Sequence, residues 1–145
     1  MPFPIPRQGL VIRYSYLWQA KHLRGQEEGV KDRPCAVILV TASADDGETV
    51  TVLPITHGPP SDKAFAVEIP YNTKERLGLD AGRSWVILVE ANRFVWPGPD
   101  LRPLRSHDAA SVAYGLLPYG LAEEIRLKFI ALLKGRRTRI VTRTE

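Results

Sequence analysis

A mainly β fold with few helices, closed into a small barrel or a curled sheet, is what this sequence predicts. Short apolar or alternating runs of strand length recur between residues 9 and 90, punctuated by Gly, Pro, Asn and Asp. Helical runs between successive strands, which a parallel doubly wound sheet needs for its crossovers, are missing. From residue 121 the apolar spacing changes to three and four, the period of a helix face. At 145 residues the chain has single-domain length and can bury a core without staples.

In chain order, Leu10, Ile12, Tyr14, Tyr16 and Trp18 alternate with Val11, Arg13, Ser15 and Leu17, as in a half-buried strand with an aromatic-rich face. Residues 19–32 are polar, carry Gly25 and Gly29, and read as a mobile loop. After Pro34 the run Cys35-Ala36-Val37-Ile38-Leu39-Val40 is continuously apolar, which suits a strand covered on both faces. Asp45-Asp46-Gly47 signals a turn into a third strand over 49–55, so the second and third strands form a hairpin. Gly58-Pro59-Pro60 ends it, and residues 65–69 make a short strand stopped by Pro70.

Residues 73–79 suit one or two helical turns, with Asn72 or Thr73 as N-cap and Gly78 at the exit. Residues 84–90 return to strand, and the proline-dense stretch 93–103 reads as a stiff irregular loop. Residues 120–135 form the long helix, with Leu121, Ile125, Phe129, Leu132 and Leu133 on one face. Glu123 and Glu124 fall in its first turn, Lys134 and Arg136 at its end and Gly135 at C′, as dipole and capping preferences require. Residues 136–145 are left as a basic tail.

The net charge of +4 is unevenly placed. Residues 121–145 hold seven Lys/Arg against three acids, whereas the preceding 120 residues are balanced at 13 of each sign. A uniform polyanion-binding surface is therefore not implied. Arg136-Arg137-Thr138-Arg139 reads as an auxiliary RNA tether, a landing site for an acidic partner, or a solvated tail. A single Cys35 excludes an internal disulfide framework and Cys-based zinc clusters. No apolar run approaches 18 residues and the start is too proline-rich for a secretory signal, so no membrane association and a cytoplasmic location are expected.

Metal and nucleotide signatures are absent: there is no P-loop, no His-Glu-x-x-His, no Cys-x-x-Cys, no dinucleotide fingerprint and no Gly-x-Ser-x-Gly. His22, His57 and His107 are far apart, and neither metal nor cofactor is assigned. Two spots could carry chemistry. In Lys31-Asp32-Arg33-Pro34 the planar fork of Arg33 suits a phosphate, against the plainer alternative that Arg33 pairs with Asp32 or another carboxylate. In Pro54-Ile55-Thr56-His57 a strand ends in a hydroxyl and an imidazole; the plainer alternatives are a turn-bonded Thr56 and a solvated His57. If the second and third strands pair as a hairpin, the start of one lies beside the end of the other, and Arg33 neighbours Thr56 and His57. Trp85 reads as core and Trp96 as a pin for its loop.

Arg33-Pro34 before an apolar strand, then a hairpin, then Pro54-Ile55-Thr56, resembles the PemK/MazF family of toxins from bacterial toxin–antitoxin modules. Gly78-Leu79, Ser84-Trp85-Val86 and Asn92-Arg93-Phe94-Val95-Trp96-Pro97-Gly98 extend the resemblance, which spans residues 9–103. It implies a small SH3-like barrel with helices attached. It also implies a homodimeric, metal-independent endoribonuclease that cuts single-stranded RNA at short sequences and is neutralised by a cognate antitoxin. Carried over by position, Arg33 and Thr56 are the catalytic pair.

The implied reaction is attack of a ribose 2′-hydroxyl on the adjacent phosphate, which needs a proton acceptor, a proton donor and a cation. His57 is the acid/base candidate by chemistry, and Glu27 or Glu28 is the rival base. Trp18, Glu27, Glu28 and Lys31 are expected substrate contacts. The sequence departs from the family in lacking an acidic residue after Gly9, and its final helix makes it longer than typical members. Two alternatives use the same barrel. One is a non-catalytic RNA- or protein-binding member. The other is a gyrase-poisoning toxin like CcdB, disfavoured because that family acts through a C-terminal Trp-Gly-Ile and this sequence ends Thr144-Glu145.

Overall fold

The structure, a computed structural model, describes residues 3–20, 31–42, 47–104 and 112–143. His22, Glu27, Glu28 and His107 lie outside the described residues, and Lys31 is placed by its backbone alone.

Eight strands form one sheet: β1 Leu10–Tyr16, β2 Lys31–Ala42, β3 Glu48–Thr56, β4 Ala66–Glu68, β5 Trp85–Ile87, β6 Glu90–Val95, β7 Ala113–Leu116 and β8 Arg139–Thr142. Two helices accompany it, α1 Tyr71–Leu77 and α2 Tyr119–Lys134. The order is β4-β5-β3-β2-β1-β7, with β6 also on β3 and β8 beside β6. Every pair is antiparallel except β6–β8. The fold is thus mainly β, as expected. Among the described residues no helix is long and apolar enough to cross a membrane.

Strand β3 bends the sheet. Its first half, Thr49–Val52, pairs with β6, whereas its end, Ile55 and Thr56, pairs with β5 on the same side. A strand that feeds two neighbours on one edge cannot stay in a flat sheet, so β5 and β6 diverge. This corrects the expectation of a single strand over 84–90: the chain leaves β5 at Ile87 and joins the other end of β3 as β6. It also corrects the loop expected over 93–103, because Arg93, Phe94 and Val95 are still strand. Beyond them Trp96 is the pin expected of it, donating its indole N–H to the Pro4 carbonyl at 3.1 Å and packing on Phe94.

The alternation of β1 to β3 sorts residues into two cores. Val11, Ala36, Leu53 and Ile55 face Ala122, Ile125 and Phe129 of α2 and Leu77 of α1. Ile12, Tyr14, Tyr16, Cys35, Val37, Val50 and Val52 face Phe94 and Leu101. Cover on both faces is what the unbroken apolar run of β2 requires. β2 itself runs further than Cys35–Val40, because pairing with β1 as far as Tyr16↔Lys31 draws its polar entrance into the ladder.

Helix boundaries shift for identifiable reasons. α1 starts after Pro70 with no side-chain cap, rather than at Asn72 or Thr73, and Gly78 closes it at a φ of 75° that suits glycine. α2 starts at Tyr119, so Glu123 and Glu124 sit one turn in and pair with Arg126 and Lys128 instead of capping. At its end Arg137 N–H bonds the Leu132 carbonyl at 2.8 Å and Arg136 N–H that of Leu133 at 3.0 Å, a Schellman closure. The left-handed residue is Arg136, φ 58°, and not Gly135.

Much of the expected basic tail is structure. Arg139–Thr142 is β8, Thr138 is buried with its hydroxyl on the Leu88 carbonyl, and Arg143 is buried against Asp100 at 3.1 Å. Helix α2 is thus followed by a strand that joins the sheet beside β6.

Candidate active site at the open end of the β2–β3 pair

The β2–β3 register runs from Ala42↔Glu48 to Cys35↔Pro54, and continuing it sets Arg33 opposite Thr56. The two side chains also share a sheet face, since both are two residues from the last paired positions. A cavity of about 450 Å³ opens at this end of the sheet, with Arg33, Thr56 and His57 among its lining residues. The hairpin geometry thus brings together the three residues singled out from the sequence.

Arg33 is not spent on a neighbour. The carboxylate of Asp32 lies 3.7 Å from Arg13 and 3.5 Å from Arg102, on the opposite side of the strand, so Asp32 is not its partner. The Arg33 guanidinium stacks 5.0 Å from the centre of the Trp18 ring, and its Nε is buried without a hydrogen-bond partner among the described residues. Trp18 lies just past the end of β1, edge-on to Tyr16 at 5.0 Å. Its position is that of a platform under Arg33. Among the described residues the Thr56 hydroxyl makes one long hydrogen bond, 3.4 Å to the Gly58 carbonyl, so it is loosely held.

His57 is 58% exposed yet has defined partners. Its Nε2 is 2.8 Å from Asp80 Oδ2 and its Nδ1 3.0 Å from the Arg83 carbonyl. Nδ1 also lies 3.4 Å from Ser84 Oγ, so both ring nitrogens are engaged within the fold. For Asp80, burial pushes the carboxyl up, but hydrogen bonds from His57 and Lys74 more than offset this and hold it below the ordinary value.

Lys74 explains why Asp80 is there. Its side chain is only 3% exposed, and Nζ donates to Ser84 Oγ at 2.7 Å, to the Gly82 carbonyl and to Asp80 Oδ1 at 3.4 Å. An ammonium with all three protons used inside the fold ties α1 to the 80–84 loop. Lys74 and Asp80 carried no signal in the sequence, and Ser84 entered only through the Ser84-Trp85-Val86 motif; nothing local says that a helix lysine will reach the 80–84 loop. Tyr114 of β7, also unanticipated, lines the cavity from the far side, and its hydroxyl makes no hydrogen bond to another described residue. Burial pushes that hydroxyl's pKa up, opposed by Arg13.

Among the described residues no group of three or more His, Cys, Asp and Glu is placed to hold a metal ion. The calls on Glu27 and Glu28 lie outside the described residues, and of Lys31 only its place at the start of β2 is given. No protein-family model matches the chain, and comparison with curated proteins and with solved structures returned no match.

Proposed function

We propose that this protein is a metal-independent endoribonuclease of the PemK/MazF type, an SH3-like barrel that cleaves single-stranded RNA. One observation carries the reading: Arg33, without an ion pair among the described residues, stands opposite the loosely held hydroxyl of Thr56 at the mouth of a ligand-sized cavity. Arg33 keeps its charge at any working pH and its fork fits phosphate oxygens, so it stabilises the negative charge that builds on the phosphorane. Thr56 donates a hydrogen bond to the same group. The 2′-oxygen forms a bond to phosphorus as its proton leaves to a base, and the bond to the 5′-oxygen breaks as that oxygen takes up a proton. The products are a 2′,3′-cyclic phosphate and a free 5′-hydroxyl. His57, engaged through both ring nitrogens, is the proton-donor candidate once one of its contacts opens. DNA lacks the attacking hydroxyl and is not cut. The resemblance also supports a cytoplasmic homodimer restrained by a cognate antitoxin.

The purified protein is incubated with RNA in excess EDTA and the new 5′ ends are mapped. Cleavage at short, repeated sequences is expected, and Arg33→Ala and Thr56→Ala each lose about 10²–10³-fold in rate, the usual cost of removing one transition-state donor. No cleavage by the wild type, or equal cleavage by both variants, overturns the proposal. The engagement of both His57 nitrogens favours a second reading, an RNA binder without turnover. RNA affinity retained with no cleavage at any pH distinguishes it.

A further inference from the structure

The cavity walls are unlike a phosphate cradle. Asp80 stands among its lining, and an anion placed beside it would meet a negative group; Asp32, also in the lining, is taken up by Arg13 and Arg102. Pro34, Ile55, Leu79 and the Tyr114 ring supply apolar wall, with Thr56, Gly78 and Ser84 beside them. Such a slot suits a group with apolar faces and a polar edge. A volume of about 450 Å³ is within the range of small-molecule sites, roughly 300–1,000 Å³.

We propose that this cavity is a subsite for one nucleobase of the RNA, guanine above all, with the phosphate held at its mouth by Arg33 and Thr56. The assignment rests on the ribonuclease reading for its substrate and on the wall chemistry for its choice of base. Asp80 is 66% exposed, and each carboxylate oxygen takes one hydrogen bond from the protein, from His57 on Oδ2 and Lys74 on Oδ1. A second acceptor site remains on each oxygen. The Watson–Crick edge of guanine presents N1–H and N2–H side by side, the spacing one carboxylate accepts. Cytosine and adenine present a single amino group there, and uracil presents one N–H flanked by two carbonyl oxygens that a carboxylate repels. Lys74 holds Asp80 from beneath, so the reading group is positioned before the base arrives. Tyr114 supplies a ring to stack on and a hydroxyl with no hydrogen bond to another described residue.

The four ribonucleoside 5′-monophosphates are titrated into the full chain, with binding read by calorimetry and by the NMR shifts of Tyr114 and His57. Guanosine monophosphate is expected to bind about tenfold more tightly than uridine monophosphate, within the range that one good bidentate base contact provides. Asp80→Asn should remove most of that ratio, while Tyr114→Ala should weaken all four nucleotides together. Because the wild-type ranking alone is decisive, a poorly folded variant does not spare the idea. Equal affinity for the four, no binding of any at millimolar concentration, or shifts confined to residues away from the cavity overturns it. The outcome is separable from the nuclease assay: a guanine preference without cleavage keeps the subsite and removes the enzyme, and cleavage without any base preference does the reverse.

Discussion

Replacing Arg143 by alanine tests whether the end of the chain is a basic tail or part of the core. The Arg143 guanidinium donates to the Ser15 carbonyl at 2.7 Å and to Asn92 Oδ1 at 3.2 Å, and lies 3.1 Å from Asp100 Oδ2 and 5.7 Å from the Tyr14 ring centre. Side-chain exposure is 4% for Arg143 and 13% for Asp100, so water cannot take over these contacts. Removing one partner of a buried pair costs about 3–5 kcal/mol when the other charge stays buried and uncompensated; Arg102, 4.0 Å from Asp100, offsets part of this and sets the expectation toward the low end. A solvent-exposed pair such as Lys128–Glu124 is worth at most about 1 kcal/mol. At about 2–4 °C per kcal/mol for a chain near this length, Arg143→Ala should lower Tm by about 6–20 °C and Lys128→Ala by no more than a few degrees.

Thermal and urea unfolding followed by circular dichroism measure both. Pairing Arg143→Met with Asp100→Leu should recover much of the loss, since apolar replacement of a whole buried pair is often neutral. A Tm change for Arg143→Ala no larger than that for Lys128→Ala, or no recovery in the double variant, would show that β8 does not close the sheet through this contact.

Three further outcomes follow from the same structure. Arg136→Gly should raise the unfolding free energy by up to about 1 kcal/mol, read as a higher urea midpoint, since glycine holds φ 58° without the Cβ penalty; a lower midpoint contradicts the Schellman closure. Cys35 has no exposed surface and burial pushes its thiol pKa well up, so a thiol reagent should leave the native protein unlabelled and react only at the rate of unfolding. Glu90 is raised by burial, against hydrogen bonds from the Gln19 N–H and the Tyr16 hydroxyl. A carboxyl raised in the folded state destabilises the fold once ionised, so the cost is absent below the ordinary carboxylate range and grows as pH rises through it. Glu90→Gln should therefore gain more stability at pH 7 than at pH 4 in thermal scans, and an equal effect at both contradicts this.

Local pattern was enough for the mainly β character, the β2–β3 hairpin and the meeting of Arg33 with Thr56 and His57, because each depends on residues close in sequence or on one hairpin register. The unbroken apolar run from Cys35 reports cover on both faces, and an antiparallel register follows from the turn; the alternation over 10–16 suggested a half-buried strand, whereas β1 is buried on both faces. Contacts between distant segments had no such signature. The sharing of β3 by β5 and β6, the parallel pairing of β8 and the burial of Arg143 each depend on where a distant segment arrives, and an arginine near a chain end reads as solvated until Asp100 is found beside it. The same holds at the site. A hydroxyl and a guanidinium could be placed from the sequence, whereas the clamp of Lys74 on Asp80, and through it the setting of His57, was decided by how α1 packs against the 80–84 loop.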